Sequence, residues 1–453
     1  MKPLSATYMA HLCGGFLLHK GPPCLIDSIA VDSRTIKPGA LFFALAGEHA
    51  NGHDFVKDAF AKGAVAAVVS KKELQRGSFP TQKPLIVVDD PLAALQRAAT
   101  NHVQRFSQLK KIGISGSMGK TTTKEMLSSI LEQMGTVTKT PGNYNSTIGL
   151  PISLLHIDET TEFGLFEMGI DRPNEMESLL SMWQPQVGII TRIGAAHLKT
   201  LGSEKHIAQE KGKLFHPSIK TALLSNTDRW SAYIERKQGI EALRFGLGAT
   251  KGIDSYHHLG LDGWLIGYKG EHIHLKAIGE HNLHNACAAI TAAQQLGASV
   301  SAICEGLEQF RAVQGRSNVV QGDITLIEDW YNASYDSTLS IIDYVGALPW
   351  KGRKVAVLGS MKELGSHSEQ AHRLVARRLS SYRLDALYLY GQEMASAKEE
   401  LMRLGLDRTC FYTTDSEQLS HMVSTQSRKG DLVLIKGSRA MQMEQLVPLV
   451  STL

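Results

Sequence analysis

Residues 115–125 read S-G-S-M-G-K-T-T-T-K-E, and they decide the fold. The short apolar run Lys111 to Ile114 leads into Gly116, Gly119 and Lys120. Met126, Leu127, Ile130, Leu131 and Met134 then recur at helical spacing until Gly135 ends the pattern. A strand, a glycine turn and a helix N-terminus in that order make a phosphate cradle. Its backbone, Gly116, Ser117, Met118, Gly119 and on to Thr122, turns N–H groups toward the anion. Lys120 reaches the outer phosphates, and the Thr121 hydroxyl is placed to ligate Mg²⁺. The strict pattern has a glycine where this chain has Ile114. The stretch reads as a nucleoside triphosphate site.

Working outward, 453 residues are enough for two to four domains. With 43% hydrophobic and 20% charged residues, the composition is that of a soluble α/β protein. No apolar run reaches eighteen residues, and the N-terminus M-K-P-L-S-A-T-Y lacks the apolar core of a secretory signal. No membrane insertion is therefore expected. Cys13, Cys24, Cys287, Cys304 and Cys410 are odd in number and scattered, which fits thiols in a reducing cytoplasm better than disulfides or a zinc site. A net charge of +4 is too mild for a nucleic-acid footprint.

The pattern along the chain predicts three α/β domains, at 1–107, 108–313 and 314–453. In the first, strands are expected at Ala40 to Ala46, Ala64 to Val69 and Leu85 to Val88, with helices at Asp54 to Lys62 and Leu92 to Phe106. In the second, strands at Gly164 to Met168, Val187 to Ile193 and Thr221 to Leu224 follow the phosphate loop. Helical stretches run from Glu204 to Phe215, Leu283 to Leu296 and Val300 to Phe310. The third repeats the alternation with strands near Ile324 to Ile327, Lys354 to Leu358, Ala386 to Tyr390 and Leu432 to Ile435. Strands alternating with helices imply parallel sheets joined by crossover helices.

Several polar positions stand out against this frame. Glu167 ends the run F-G-L-F, and a carboxylate at the C-terminal end of a parallel strand faces the ligand crevice; it reads as an Mg²⁺ ligand or as a solvated edge residue. His197, after I-G-A-A, fits a metal ligand or a structural hydrogen-bonder. Lys211 reads on spacing alone as a surface lysine. P-G-N-Y-N-S-T-I-G-L-P, residues 141–151, is either a donor loop carrying Asn143 and Asn145 or a plain turn. Asn282 and Asn285, in G-E-H-N-L-H-N, sit three apart at a helix start, as readers of a base edge or as a cap pair. E-D-W-Y-N-A-S-Y-D-S and I-K-G-S-R each end a strand of the third domain with polar groups.

Taken together and in this order, these segments resemble the ATP-dependent Mur ligases of peptidoglycan synthesis along essentially the whole chain. D-S-R-T-I-K-P-G-A-L-F-F-A-L-A-G with N-G-H-D-F is similar to the family's uridine-nucleotide domain. G-S-M-G-K-T-T-T-K-E, E-M-G, I-G-A-A-H-L, L-G-S-E-K-H-I-A-Q-E-K-G and G-E-H-N-L-H-N are similar to its central domain. G-R at 315–316, D-W-Y-N-A-S-Y-D-S, L-G-S-M-K-E-L-G and K-G-S-R are similar to its third, Rossmann-like domain. K-T-T-T-K-E and Y-N-A resemble the branch that adds D-alanyl-D-alanine.

The resemblance implies ATP and two Mg²⁺ ions, with Thr121, Glu167, His197 and Lys211 as ligands, the last as a CO₂-derived carbamate. Lys120, Glu167, His197 and Lys211 become the catalytic set. Asn282, Asn285, Arg316 and Asp329 are implied nucleotide contacts. Asp32, Ser33 and Arg34 would meet the uridine nucleotide; Asn143, Asn145, Asn332 and Lys436 would meet substrate. The implied substrates are UDP-N-acetylmuramoyl-tripeptide and D-alanyl-D-alanine, handled by a cytoplasmic monomer. Two departures stand out: Ser334-Tyr335 replaces the family's N-P, and Lys213 replaces a glutamate two residues after Lys211. A folylpolyglutamate synthase, another Mur branch, or an NTP-driven switch or inactive binding partner are the alternatives. The N-terminal D-S-R…G-H-D-F module argues against the first, and intact Lys120, Thr121, Glu167 and Lys211 against the last.

Overall fold

Short runs with no polar alternation, such as Ala66–Ser70 and Phe163–Glu167, are buried at every position, as strands covered by helices on both faces must be. The computed structural model describes residues 1–18, 24–47, 50–76, 79, 83–406 and 409–451. Three larger sheets carry the chain. In the first, Phe16–Leu18, Leu85–Val88, Ala66–Ser70, Ala40–Phe43 and Ser28–Ala30 lie side by side, antiparallel only at the first pair. The second is wholly parallel: Leu243–Phe245, Thr221–Ser225, Val187–Ile190, Lys110–Ser115, Phe163–Glu167 and Val137–Lys139. The third runs Asn318–Val320, Thr325–Asp329, Leu432–Lys436, Lys354–Gly359, Ala386–Tyr390 and Cys410–Thr413, again antiparallel only at its first pair. The β-like break at residues 240–280 is a separate antiparallel sheet of Ile253–His258, Trp264–Tyr268 and Glu271–Leu275.

The middle sheet positions the site. From Lys110–Ser115 the chain builds outward first to one side, through Phe163–Glu167, and then to the other, through Val187–Ile190. Where strand order reverses, the connections part and leave a crevice at the carboxyl ends of the strands. The phosphate loop leaves the sheet at that point. Its helix, Lys120–Leu131, begins at Gly119 with φ +81° and has no side-chain cap, so its first N–H groups remain available to an anion. Met126, Leu127, Ile130 and Leu131 face the core. Against them lie the helices Glu280–Gln295 and Val300–Gln309, the latter so close that a Cβ at Gly306 would stand 2.4 Å from the Ile130 Cα.

Differences from the sequence pattern have local causes. The strand expected over Ala40 to Ala46 stops at Phe43, because Leu45 turns to accept from the Gly52 N–H at 2.7 Å. That expected over Val187 to Ile193 stops at Ile190, where the chain leaves the sheet to line the crevice. The helix expected from Leu92 starts at Pro91, capped by Asp90. The helix expected from Leu283 starts at Glu280 with Gly279 as its N-cap, so Asn282 and Asn285 lie inside it and are not a cap pair. The helices Ala6–Cys13 and Ser416–Gln426 had no place in the pattern reading.

Candidate active site

A cavity of about 420 Å³ opens where the phosphate loop faces the third sheet. Its lining includes Ser117 to Thr122, Asn143, Asn145, Glu167, His197, Lys211, Asn282, Asn285, Arg316, Asp329, Asn332 and Lys436. Gly116 is not among these residues, and neither are Asp32, Ser33 and Arg34. Ser33 is buried, whereas the Arg34 side chain is 85% exposed and grips Asp32 through Nε and Nη2.

The loop glycines are required by contact. Gly116 has φ +145°, and a Cβ there would sit 2.1 Å from Thr191 Oγ1; one at Gly119 would sit 2.4 Å from Asn285 Oδ1. Lys120 folds back to donate to the Gly116 carbonyl at 2.7 Å. Burial pushes its pKa down and Arg316 adds to that, while Glu167 and Asp171 oppose it. Asn285 accepts from Thr123 Oγ1 at 3.3 Å and donates to Asn282 Oδ1 at 3.0 Å, and Asn282 donates to the Ile278 carbonyl at 2.8 Å. The two amides thus brace the phosphate loop from the neighbouring helix.

Glu167 is 1% exposed. Its N–H donates to Thr140 Oγ1 at 2.8 Å, and its Oε2 accepts from Asn145 Nδ2 at 3.3 Å. Its Oε1 lies 3.4 Å from Lys124 Nζ but accepts no hydrogen bond. A buried carboxylate oxygen left in that state costs about 1–3 kcal/mol, so the donor set favours a cation beside it. Among the described residues no three His, Cys, Asp or Glu side chains cluster as a metal site. That suits Mg²⁺, which takes one or two carboxylates and fills its shell with phosphate oxygens and water. His197, at φ +58°, holds Asp171 through Nε2 at 3.2 Å and Glu363 of the third domain through Nδ1 at 2.8 Å.

Lys211 is 1% exposed, and its Nζ has no hydrogen-bond or ion-pair partner among the described residues. Burial pushes its pKa well below the ordinary lysine value, and Lys120 pushes the same way. The helix Glu204–Gly212 also buries Ile207 and Ala208, four and three residues earlier, so Lys211 lies on its inner face. That periodicity was the signal against a surface lysine. Lys213 instead bridges Glu177 and Glu210 at 2.5 Å each.

From the third domain, Asp329 and Lys436 end adjacent strands in register and pair at 2.6 Å, with Lys436 2% exposed. Lys436 also donates to the Asn332 carbonyl. The Arg316 guanidinium lies 4.1 Å from the centre of the Tyr331 ring. Gly315 before it leaves room for Trp330, 2.8 Å from where a Cβ would stand. Ser334 caps the helix Tyr335–Ala347 in a reciprocal capping box with Ser337. Serine thus takes the capping role asparagine can play, and Tyr335 the first helical position where proline is favoured. Sequence reasoning passed over Lys124, Thr140, Asp171, His281, Tyr331 and Glu363. Lys124 carried the signal of standing four residues after Lys120 on the same helix, and His281, Tyr331 and Glu363 lie within the polar segments singled out above.

Three descriptions of one family match in succession: the Mur ligase family catalytic domain over residues 25–103, the Mur ligase middle domain over 114–293, and the Mur ligase glutamate ligase domain over 315–439. The UDP-N-acetylmuramoyl-tripeptide–D-alanyl-D-alanine ligase of Treponema pallidum is 36% identical over 94% of both chains. The chain belongs to the Mur ligase family. The Bacillus subtilis ligase of the same name is 33% identical over 93% of both chains. A crystal structure of MurF from Acinetobacter baumannii covers all of both chains at 28% identity with a TM-score of 0.86. The Thermotoga maritima MurF ligase in complex with ADP matches 94% of this Mur ligase at 27% identity and a TM-score of 0.77.

Proposed function

We propose that this Mur ligase joins D-alanyl-D-alanine to UDP-N-acetylmuramoyl-tripeptide at the expense of ATP, in peptidoglycan precursor synthesis. The observation that carries the reading is the meeting of Lys120, Glu167 and Lys211 in one cavity, in a chain matched end to end by ligases of that name. ATP use is supported by the phosphate loop and by the relative that holds ADP. We assign residues 1–107 to the uridine nucleotide, through Asp32, Ser33 and Arg34. Residues 108–313 hold ATP, and 314–453 close on the nucleotide and the dipeptide.

In the reaction, the tripeptide's terminal carboxylate attacks the γ-phosphorus of ATP, and ADP leaves. The dipeptide amine adds to the resulting acyl phosphate, loses a proton, and phosphate departs from the tetrahedral intermediate. The chain's task is to hold two anions together and keep water away. Lys120 gives up its contact with the Gly116 carbonyl to meet the outer phosphates, and the helix N-terminus binds the anion from behind. Arg316, stacked on Tyr331, brings charge from the third domain, while Asn282 and Asn285 hold the loop in shape. Glu167 and Thr121 would hold one Mg²⁺; His197 and Lys211 would serve a second once His197 is released from Asp171 and Glu363. Bound Mg²⁺ supplies charge neutralisation at the phosphate oxygens.

The Lys211 carbamate is supported by its burial and its lowered pKa. A neutral amine adds to CO₂ and releases one proton, turning a cation site into an anion able to bind metal. We place the enzyme in the cytoplasm as a monomer. Its five free cysteines and nucleotide substrates favour that compartment, and no helix among the described residues is long and apolar enough to cross a membrane. ADP release tests the function: it should require both the tripeptide nucleotide and D-alanyl-D-alanine for steady turnover. Release with neither present would instead indicate an NTP-driven switch.

A further inference from the structure

The phosphate-loop helix buries a second lysine that the reaction above does not use. Lys124 is 1% exposed, one turn after Lys120. Its Nζ donates to the Thr140 carbonyl at 2.8 Å and lies 2.8 Å from Glu125 Oε1 and 3.4 Å from Glu167 Oε1. Thr140, also 1% exposed, accepts the Glu167 N–H on its hydroxyl. Lys124 and Thr140 are therefore joined to each other and hold Glu167 at two points, the carboxylate and the backbone. Asn145 holds the other carboxylate oxygen.

A cation 3.4 Å from a metal ligand would ordinarily repel the metal. Here the lysine arrives with its own counter-charge. Glu125 takes Lys124 on Oε1 and Lys139 on Oε2, the latter at 2.7 Å, and Lys139 reaches Glu132 at 3.4 Å. Burial works against the Glu125 carboxylate, yet the Lys124 and Lys139 ammoniums hold its pKa below the usual range. Charges alternate from Glu167 outward, so the Lys124–Glu125 pair is neutral and the chain retains Glu167's negative charge at the cavity.

We propose that Lys124 is a positioning residue for the Glu167 carboxylate, with Glu125 as the counter-charge that keeps Lys124 from weakening the bound cation. This rests on the reading of Glu167 as an Mg²⁺ ligand. It also gives a physical reason for the final K-E of K-T-T-T-K-E: the lysine aims the carboxylate, and the glutamate cancels the lysine.

The test is a Mn²⁺ titration of the full chain with ADP, counting free Mn²⁺ by electron paramagnetic resonance, alongside kcat at saturating Mg²⁺. Glu125→Gln leaves Lys124 uncancelled and should weaken Mn²⁺ binding by about fivefold or more. The double variant Lys124→Met/Glu125→Gln removes both charges. It should return Mn²⁺ affinity to within about twofold of wild type while losing about tenfold in kcat, because the carboxylate is free to turn. A lysine with only a structural role would shift melting temperature in both variants and leave Mn²⁺ affinity unchanged. Wild-type affinity in folded Glu125→Gln, or wild-type kcat in the double variant, overturns the proposal. If Glu125→Gln fails to fold, the double variant alone decides it through kcat. Glu167→Gln separates the two readings: Mn²⁺ binding unchanged there defeats Glu167 as a ligand. Binding lost there but unaltered in Glu125→Gln defeats only the role of Lys124.

Discussion

Lys124 and Lys211 are buried to the same degree, 1% exposed each, in the same domain, and they differ in nearly everything else. Lys124 has a carbonyl and two carboxylates around its nitrogen. The Lys211 nitrogen has no hydrogen-bond or ion-pair partner among the described residues, and its pKa lies well below the ordinary value, chiefly because it is buried. A buried ammonium needs compensating charge, and where little is supplied its pKa falls. Burial alone therefore says nothing about a lysine's role. The partners decide whether the charge is compensated or the pKa falls.

Lys120 lies between these cases, bonded only to a carbonyl of its own loop, and it gives the largest expected effect. Lys120→Ala should cost about 10²–10³ or more in kcat while leaving the fold intact, since the missing charge acts on the transferring phosphoryl group. Single-turnover kinetics of acyl-phosphate formation measure it. A variant keeping more than about a tenth of wild-type kcat would remove Lys120 from the reaction.

Lys211→Ala sharpens the comparison directly. If the amine becomes a carbamate, the variant should lose about 10²-fold in kcat and regain part of it in acetate or another short carboxylate, but not in a neutral amide of similar size. Wild-type activity should also fall when CO₂ and bicarbonate are stripped from the buffer, and that of the alanine variant should not. Full activity in Lys211→Ala would make the burial of this lysine a packing feature only.

The two lysines also mark how far the sequence could be read. The phosphate loop, the sheet orders' parallel character and the three-part alternation were legible because apolar runs and glycine turns act locally. Lys211 carried a local signal too, through Ile207 and Ala208 on its face, but one outweighed by the charged residues around it. Lys124 has no legible role in its motif, because its partners Thr140, just past the strand Val137–Lys139, and Glu167, at the end of Phe163–Glu167, lie far from it in the chain. His197 is held by Asp171 and by Glu363 from the third domain, a meeting that no spacing in the chain announces. At Ser334-Tyr335, which stands where the family has N-P, the structure shows a capped helix start, a local feature that the two residues alone do not announce.

A smaller effect is expected away from the cavity. Arg34 is exposed and paired only with its neighbour Asp32, and exposed pairs add little stability. Arg34→Ala should leave the melting temperature unchanged and raise KM for the tripeptide nucleotide by about fivefold at constant kcat, as loss of uniform binding does. An unchanged KM would detach this arginine from the nucleotide.

The smallest effect extends the rule from lysine to histidine. His53 and His372 are 8% and 0% exposed. His53 Nε2 accepts the Ser70 N–H at 2.9 Å while its Nδ1 faces Asn51 Oδ1 at 2.7 Å. His372 Nε2 accepts the Met361 N–H at 3.0 Å, and its Nδ1 donates to the Ser368 carbonyl at 2.7 Å. Each ring must be neutral and carry its proton on Nδ1, an assignment inferred from these partners. Burial pushes both pKa values down. The unfolded rings titrate near about 6.5, so below that pH the unfolded chain holds more protons than the folded one. Stability should therefore fall as pH drops from about 6.5 toward the folded pKa values and be insensitive to these rings above it. Each protonation forfeits a hydrogen bond worth about 1 kcal/mol. Urea midpoints at pH 7.5 and 5.5 measure the loss. His53→Gln with His372→Gln keeps an acceptor that does not titrate, so the pH slope should shrink. It should not vanish, because burial also lowers His102 and His156. A slope equal to wild type would mean that these two rings, despite their buried partners, take up protons without cost to the fold.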